Sequence, residues 1–496
     1  MSDRPLATRL RVSSTFAAGA WWMLLIGAWG LVGTSDLRAD APEKAFRAGA
    51  FAMDITPPRF PISVNGNMQD ATAKGAHDPL HARCLVLDDG KVRLAIVVCD
   101  LCAVPREVFD EARQLAAEAT KIPASNMLMS ATHTHSAPTV TAAFQSVPDP
   151  EYQKFLARQI AQGIRKAEAQ LAAARIGWGV GRNPSQVFNR RWKMKPGTID
   201  PSPLGGVDAV KMNPGIGNPN LVESAGPIDP DVSILAVQAV DGRPIALLAN
   251  YSLHYVGGVP GEVVSADYFG AFADRIAQLV GAGNVEPPFV GIMSNGTSGD
   301  INNINFALTT SPKRAPFEQI RLVADSVAQT AFAAYQQIKF HDWAPLAVRE
   351  SELELGVRHP NEEELSRAKK LLEGAKGPVL KTLPEIYARE QVLLSSYPAQ
   401  VRVKLQALRI GELGVVAIPC EVFAEIGLEL KRQSPLKPMF TIELANGYNG
   451  YLPTSAQHQL GGYETWRARS SYLEADAADK ILQATLQLLQ DVAKSP

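Results

Sequence analysis

The chain has 496 residues, 46% of them hydrophobic, enough to bury a large core. Its net charge of −1, with both signs interspersed, excludes a nucleic-acid binder that works through bulk positive charge. Four cysteines (Cys84, Cys99, Cys102 and Cys420) are too few for a disulfide scaffold, and read as buried thiols or one structural bridge.

The N-terminus reads as a leader. Arg4, Arg9 and Arg11 precede the apolar run "TFAAGAWWMLLIGAWGLVG", and Ala39-Asp40-Ala41 supplies an A-x-A cleavage site. A signal peptide is expected over residues 1–41. The run is also near the length of a membrane span, so an uncleaved N-terminal anchor is the alternative. Either way residues 42–496 are expected to be exported, periplasmic or extracellular.

Beyond the leader, strand-like and helical runs alternate. "RCLVLDDGKVRLAIVVCDL" predicts two strands around an Asp89-Gly90 turn, and "PREVFDEARQLAAEATKI" a helix opened by Pro105. "NMLMSATHTH" is the next strand, ending at His133 and His135. A long helix, "PEYQKFLARQIAQGIRKAEAQLAAARI", then leads into the strand "IGWGVGRN". Residues 187–230, rich in Pro, Gly and Asn, predict an ordered excursion or lid. "VSILAVQAVDGRPIALLANYSLH" is a second hairpin, ending at His254. A helix, the strand "PPFVGIMSN" and three further helices follow. A third hairpin, "VRVKLQALRIGELGVVAIPCEVF", runs out at Glu421, and "MFTIELANGYNGYLPT" at Tyr448 and Tyr451 before a closing helix. The pattern predicts an α/β fold: a single large domain over residues 42–496, with a mixed β-sheet core flanked by helices.

Four apolar runs thus end in potential ligands, and strand ends can converge on one edge of a sheet. Imidazole nitrogen and carboxylate oxygen together suit a borderline cation such as zinc, with a position left for water. Each residue also has a structural reading. His254 can be a hydrogen-bonded strand-end residue, Glu421 a helix cap, and the tyrosines turn-packing aromatics. His133 and His135, alternate residues on one strand, point to the same face. Spacing alone supports an exported α/β hydrolase with metal dependence left open.

In order along the chain, "GAFAMDITPP", "SATHTHSAPT", "GVGRNPSQVFNRR", "ANYSLH", "PCEVFAEIGLELK" and "LANGYNGYLPT" resemble the neutral/alkaline, non-lysosomal ceramidase family over about Ala48 to Tyr472. The resemblance implies a zinc ion held by His133, His254, Glu421 and Tyr451. It implies catalytic roles for His135 (oxyanion stabilisation or proton transfer), for Arg182, matched to the Arg of the family's N-R-S-P segment, and for Tyr463. Asp100 can orient a ligating imidazole or cap a loop. The family's G-D-x-S-P-N segment reads "SGDINNI", so Asn302 replaces the active-site serine; its amide can donate to an oxyanion but cannot be a nucleophile. The family's C-terminal β-sandwich domain is not expected within residues 42–496.

The function implied is zinc-dependent hydrolysis of a linear amide bond by attack of zinc-bound water. The first substrate class is an N-acyl sphingoid (ceramide-like) lipid, with a membrane-surface contact for lipid access. The alternatives are another N-acyl amide or an ester, or a non-catalytic relative that keeps its metal for stability or ligand binding. A metal-free serine hydrolase would need a G-x-S-x-G elbow, which the sequence lacks. No oligomeric state follows.

Overall fold

Most of the strand-like runs assemble into two large sheets. Strands β1 (Arg47–Asp54), β2 (His81–Asp88), β3 (Arg93–Cys99), β4 (Met127–Ala131), β5 (Ala172–Arg182), β6 (Asp231–Ala239), β7 (Pro244–Tyr251) and β8 (Val290–Asn295) form the larger one. Their order is β8-β7-β6-β5-β1-β2-β3-β4, antiparallel inside and parallel at both edge pairs, β7/β8 and β3/β4. A second sheet, β9 (Leu346–Gly356), β10 (Gln400–Ile410), β11 (Leu413–Ile418) and β12 (Met439–Glu443), keeps that sequential order and ends in the parallel pair β11/β12. This computed structural model describes residues 45–377 and 379–495; the expected leader lies outside them.

Period-two alternation sends successive side chains of one strand to opposite layers. On β2 and β3, Leu85 and Ile96 face the second sheet, meeting Val415, Phe440 and Ile442. Their neighbours Val86 and Val97 face helices α1 (Arg106–Thr120) and α2 (Pro150–Ala169), where Phe109, Leu156 and Ile160 bury them. Both faces being covered, these strands need near-continuous apolar runs, as the sequence has. Helices α3 (Asp267–Leu279) and α4 (Glu318–Tyr335) cover the other half of the sheet through Phe272, Val327 and Leu247. Helices α5 (Glu362–Glu373) and α6 (Leu383–Leu394) open with capping boxes at Asn361 and Thr382. Helix α7 (Ala424–Gln433) follows the Glu421 segment, and α8 (Ala477–Ala493) closes the chain against β9 and β10. No helix among the described residues is long and apolar enough to cross a membrane.

Two local readings need correction. Residues 172–176, expected to extend α2, start β5, because Ala174 and Arg175 pair with Ala239 and Gln238 of β6. The sheet ladder wins over the good helix propensity of the alanines. Strand β9 was not anticipated: its "RESELEL" run keeps a charged outer face, and only its 11-residue pairing with β10 makes it a strand. The excursion is ordered, as Arg191–Met194 pairs with both Val210–Met212 and Leu221–Ser224.

Candidate metal centre and active site

The candidate residues follow the C-terminal ends of β4, β7, β11 and β12. His133 comes two residues after β4 with φ +74, a left-handed conformation costly for a residue with a Cβ. Its N–H donates to Leu101 O (2.8 Å), which holds the loop in that shape. Its Nδ1 donates to the carbonyl of Cys102 (2.7 Å), so Nε2 presents a lone pair. His254 is built likewise: Nδ1 donates to Ser298 O (3.1 Å), with Ser298 Oγ at 3.2 Å, leaving Nε2 as the acceptor.

The two Nε2 atoms lie 3.0 Å apart. Glu421 Oε2 is 3.3 Å from His133 Nε2 and 3.8 Å from His254 Nε2, and receives no hydrogen bond among the described residues. Two lone pairs and an orphaned carboxylate oxygen therefore meet in one buried spot, a donor set that fits a divalent cation. Burial, then the neighbouring His133 imidazole and Arg190 guanidinium, pushes His254 and His135 well below the ordinary imidazole range, which keeps them neutral. Burial pushes Glu421 up, but His133, Arg190 and Tyr451 outweigh it and hold the carboxyl below its usual value.

Tyr451 is placed by the backbone: Glu421 and Tyr451 are partners in a two-residue parallel ladder with Val422 and Leu452. Its hydroxyl accepts from Arg190 Nη2 (3.1 Å), while the Tyr448 hydroxyl donates to Glu421 Oε1 (2.9 Å). His135 Nε2 stands 3.1 Å from His133 Nε2, with its ring stacked on Tyr255 at 3.7 Å. Gly66 (φ +107) lets the backbone pass over that ring; a Cβ there would lie 2.5 Å from it. Half-buried Tyr463 completes the wall, 5.7 Å from the Tyr451 ring.

His133, His135, His254, Glu421, Tyr451 and Tyr463 thus come together, while two expected residues do not. Arg182 ends β5 on the solvent side, paired in register with Asp231. The arginine at the site is Arg190: Nη1 approaches His254 Nε2 (3.3 Å), Nη2 donates to Gly299 O (2.8 Å) and Nε to Glu464 (2.8 Å). Its signal was the Asn189-Arg190 pair, an Asn-Arg step like that in the N-R-S-P segment. Asn302 pairs with Phe188, donates to Asn213 (2.6 Å) and accepts from Ile304 N, so its amide is committed away from the histidines. Asp100 is likewise not behind an imidazole. It is ion-paired with buried Arg83 and accepts the N–H of His81, while backbone carbonyls orient both candidate ligands. The four cysteines are free, buried thiols.

Residues with no supporting role assigned from the sequence stand behind these groups. Glu464, fully buried, binds Arg190 with one oxygen and Arg191 with the other. Ser298 donates to Glu443 (2.6 Å), which also accepts Val422 N (2.7 Å) and is pushed up to about 8 by burial.

Fold and donor set define the class first: an α/β protein whose strand ends converge on a buried centre able to hold a metal ion. The chain belongs to the neutral/alkaline non-lysosomal ceramidase family, whose N-terminal model matches residues 46–315. Among solved structures, neutral ceramidase from Pseudomonas aeruginosa is similar at 18% identity and TM-score 0.67, over 91% of this chain and 74% of that one. A structure titled "Ceramidase complexed with C2" is similar at 17% identity and TM-score 0.67, over 91% and 75%. At these identities the likeness is one of fold. Family and fold together support a ceramide-hydrolysing function. The matched segment contains His133 and His254 but stops short of Glu421, Tyr451 and Tyr463, whose placement rests on the geometry above.

Proposed function

We propose that this chain is an exported zinc-dependent amidohydrolase that cleaves a linear N-acyl amide, first of all an N-acyl sphingoid lipid. The supporting observation is the convergence of His133 Nε2, His254 Nε2 and the orphaned Glu421 Oε2 within one buried spot. His133, His254, Glu421 and Tyr451 would hold the ion, which when bound supplies Lewis acidity and an activated water for the carbonyl. The chain's own groups supply the rest. Arg190, aligned by Glu464, and Tyr463 present donors to the oxygen of the carbonyl as charge develops there. His135, neutral and pinned between Gly66 and Tyr255, can take a proton and return it to the leaving nitrogen. Net, water adds across the C–N bond, giving a carboxylate and an amine.

Zinc content of the purified protein, and its activity on a panel of N-acyl amides and esters before and after chelation, test this reading. A folded, metal-free protein that still hydrolyses the panel would overturn it. The replacement of the family's serine by Asn302 favours a second reading, a non-catalytic metal-retaining binding protein. Bound zinc with no turnover by the wild type or Asn302→Ser would select that reading.

A further inference from the structure

The cavity over His133 and His135 is small, about 40 Å³, with room for a reacting group and a water. Any larger substituent of a substrate must lie beyond it. Tyr463 also forms part of the wall of a second cavity, of about 530 Å³. That cavity is walled by Ile199, Val210 and Met212 of the excursion, Leu383 at the start of α6, and Trp466. Its polar lining residues are Asp200, Ser202, Asp208 and Lys211, and Asp208 is occupied by the Trp466 indole N–H (2.8 Å).

The cavity lies beside the junction of the excursion with the Tyr463 segment. Arg191, fully buried, donates to Gly461 O (2.7 Å), and Ala209 N donates to Leu460 O (2.9 Å), which fastens the excursion to the Tyr463 segment. At Gly461 (φ +72) a Cβ would come within 2.1 Å of Asp208. A larger surface cavity between the excursion and α4, about 1050 Å³, shares no wall residue with the histidine cavity.

We infer that the 530 Å³ cavity takes the hydrocarbon tail of the substrate, with its polar amide turned past Tyr463 toward His133. This rests on the amidohydrolase reading for the identity of the amide, but the cavity can be tested without turnover. Ile199 and Met212, both half-buried, are the residues that set tail length.

The probe is a series of ω-bromoalkanoic acids from eight to twelve carbons, titrated into the full-length protein, since bromine in the cavity quenches Trp466. Saturable quenching is expected in the wild type, with affinity rising about fourfold per methylene. It should be lost in Trp466→Phe and weakened at least tenfold by Met212→Glu. Ile199→Glu serves as the second variant, and the melting temperature of each reports folding. Absence of quenching in the wild type, or quenching untouched in a folded Met212→Glu or Ile199→Glu protein, overturns the assignment. Tail binding without hydrolysis of any amide or ester would leave the cavity in place and defeat only the amidohydrolase reading. Hydrolysis with the same KM for acetyl and dodecanoyl amides would do the reverse.

Discussion

Glu464 offers the sharpest energetic test. Its carboxylate, without solvent exposure, is shared by Arg190 Nε at 2.8 Å and Arg191 Nη1 at 2.6 Å, two guanidinium groups that are themselves buried. Glu464→Gln keeps the shape and removes the charge, turning an N–H toward one guanidinium. Losing one partner of a buried pair costs about 3–5 kcal/mol, because the remaining charge is neither solvated nor neutralised. The two pairs share one carboxylate, so their losses do not simply add, and a working value is ~4 kcal/mol. Against a typical stability of ~5–15 kcal/mol that is a large fraction. Urea unfolding followed by tryptophan fluorescence should show the midpoint falling accordingly. Arg190 would keep Gly299 O and Tyr451 but lose its anchor, so kcat should fall more than KM rises. A loss under ~1 kcal/mol would mean that water screens these charges and that the buried-pair argument is wrong.

Other outcomes follow from the same geometry. Chelation should lower the melting temperature and zinc restore it, by as much as ~4 kcal/mol of stability at a thousandfold excess over Kd; Glu421→Ala should be blind to both treatments. Arg190→Ala should reduce kcat/KM by roughly 10²–10³, as for loss of one oxyanion donor, while Arg182→Ala stays near wild type in steady-state assays. Asp267, which accepts the N–H groups of Val256, Gly257 and Tyr268, is raised to about 6 by burial. Its contribution to stability is therefore complete below the usual carboxylate pKa of about 4 and lost as pH rises through about 6. Asp267→Asn should gain melting temperature relative to wild type between pH 4 and 7, and a constant offset would count against the assignment.

The frame of the fold was legible because its central strands are buried on both faces and so read as unbroken apolar runs. The ends of those runs located His133, His254 and Glu421, since a chain leaving a buried strand must place its polar residues at the sheet edge. What could not be read was direction after a strand end. Arg182 closes β5, yet that strand runs on in register with β6 and delivers its arginine to solvent; the chain needs eight more residues to bring Arg190 back under His254. Asn302 occupied the serine's place in the motif, but its pairing with Phe188 and Asn213 turned it aside. Ser298–Glu443 and Arg190–Glu464 join residues 145 and 274 apart, and neither pair leaves a local pattern to find.

The separation of the three converging side chains has a consequence for assembly. His133, His254 and Glu421 lie 121 and 167 positions apart, on segments belonging to both sheets. No short stretch of chain presents two of them together, so an unfolded polypeptide has little to offer an ion. The centre comes into existence only when β4, β7 and β11 have docked and the Glu421–Tyr451 ladder has closed. An ion held there would be taken up only as the last step of assembly, by a molecule that has already finished folding.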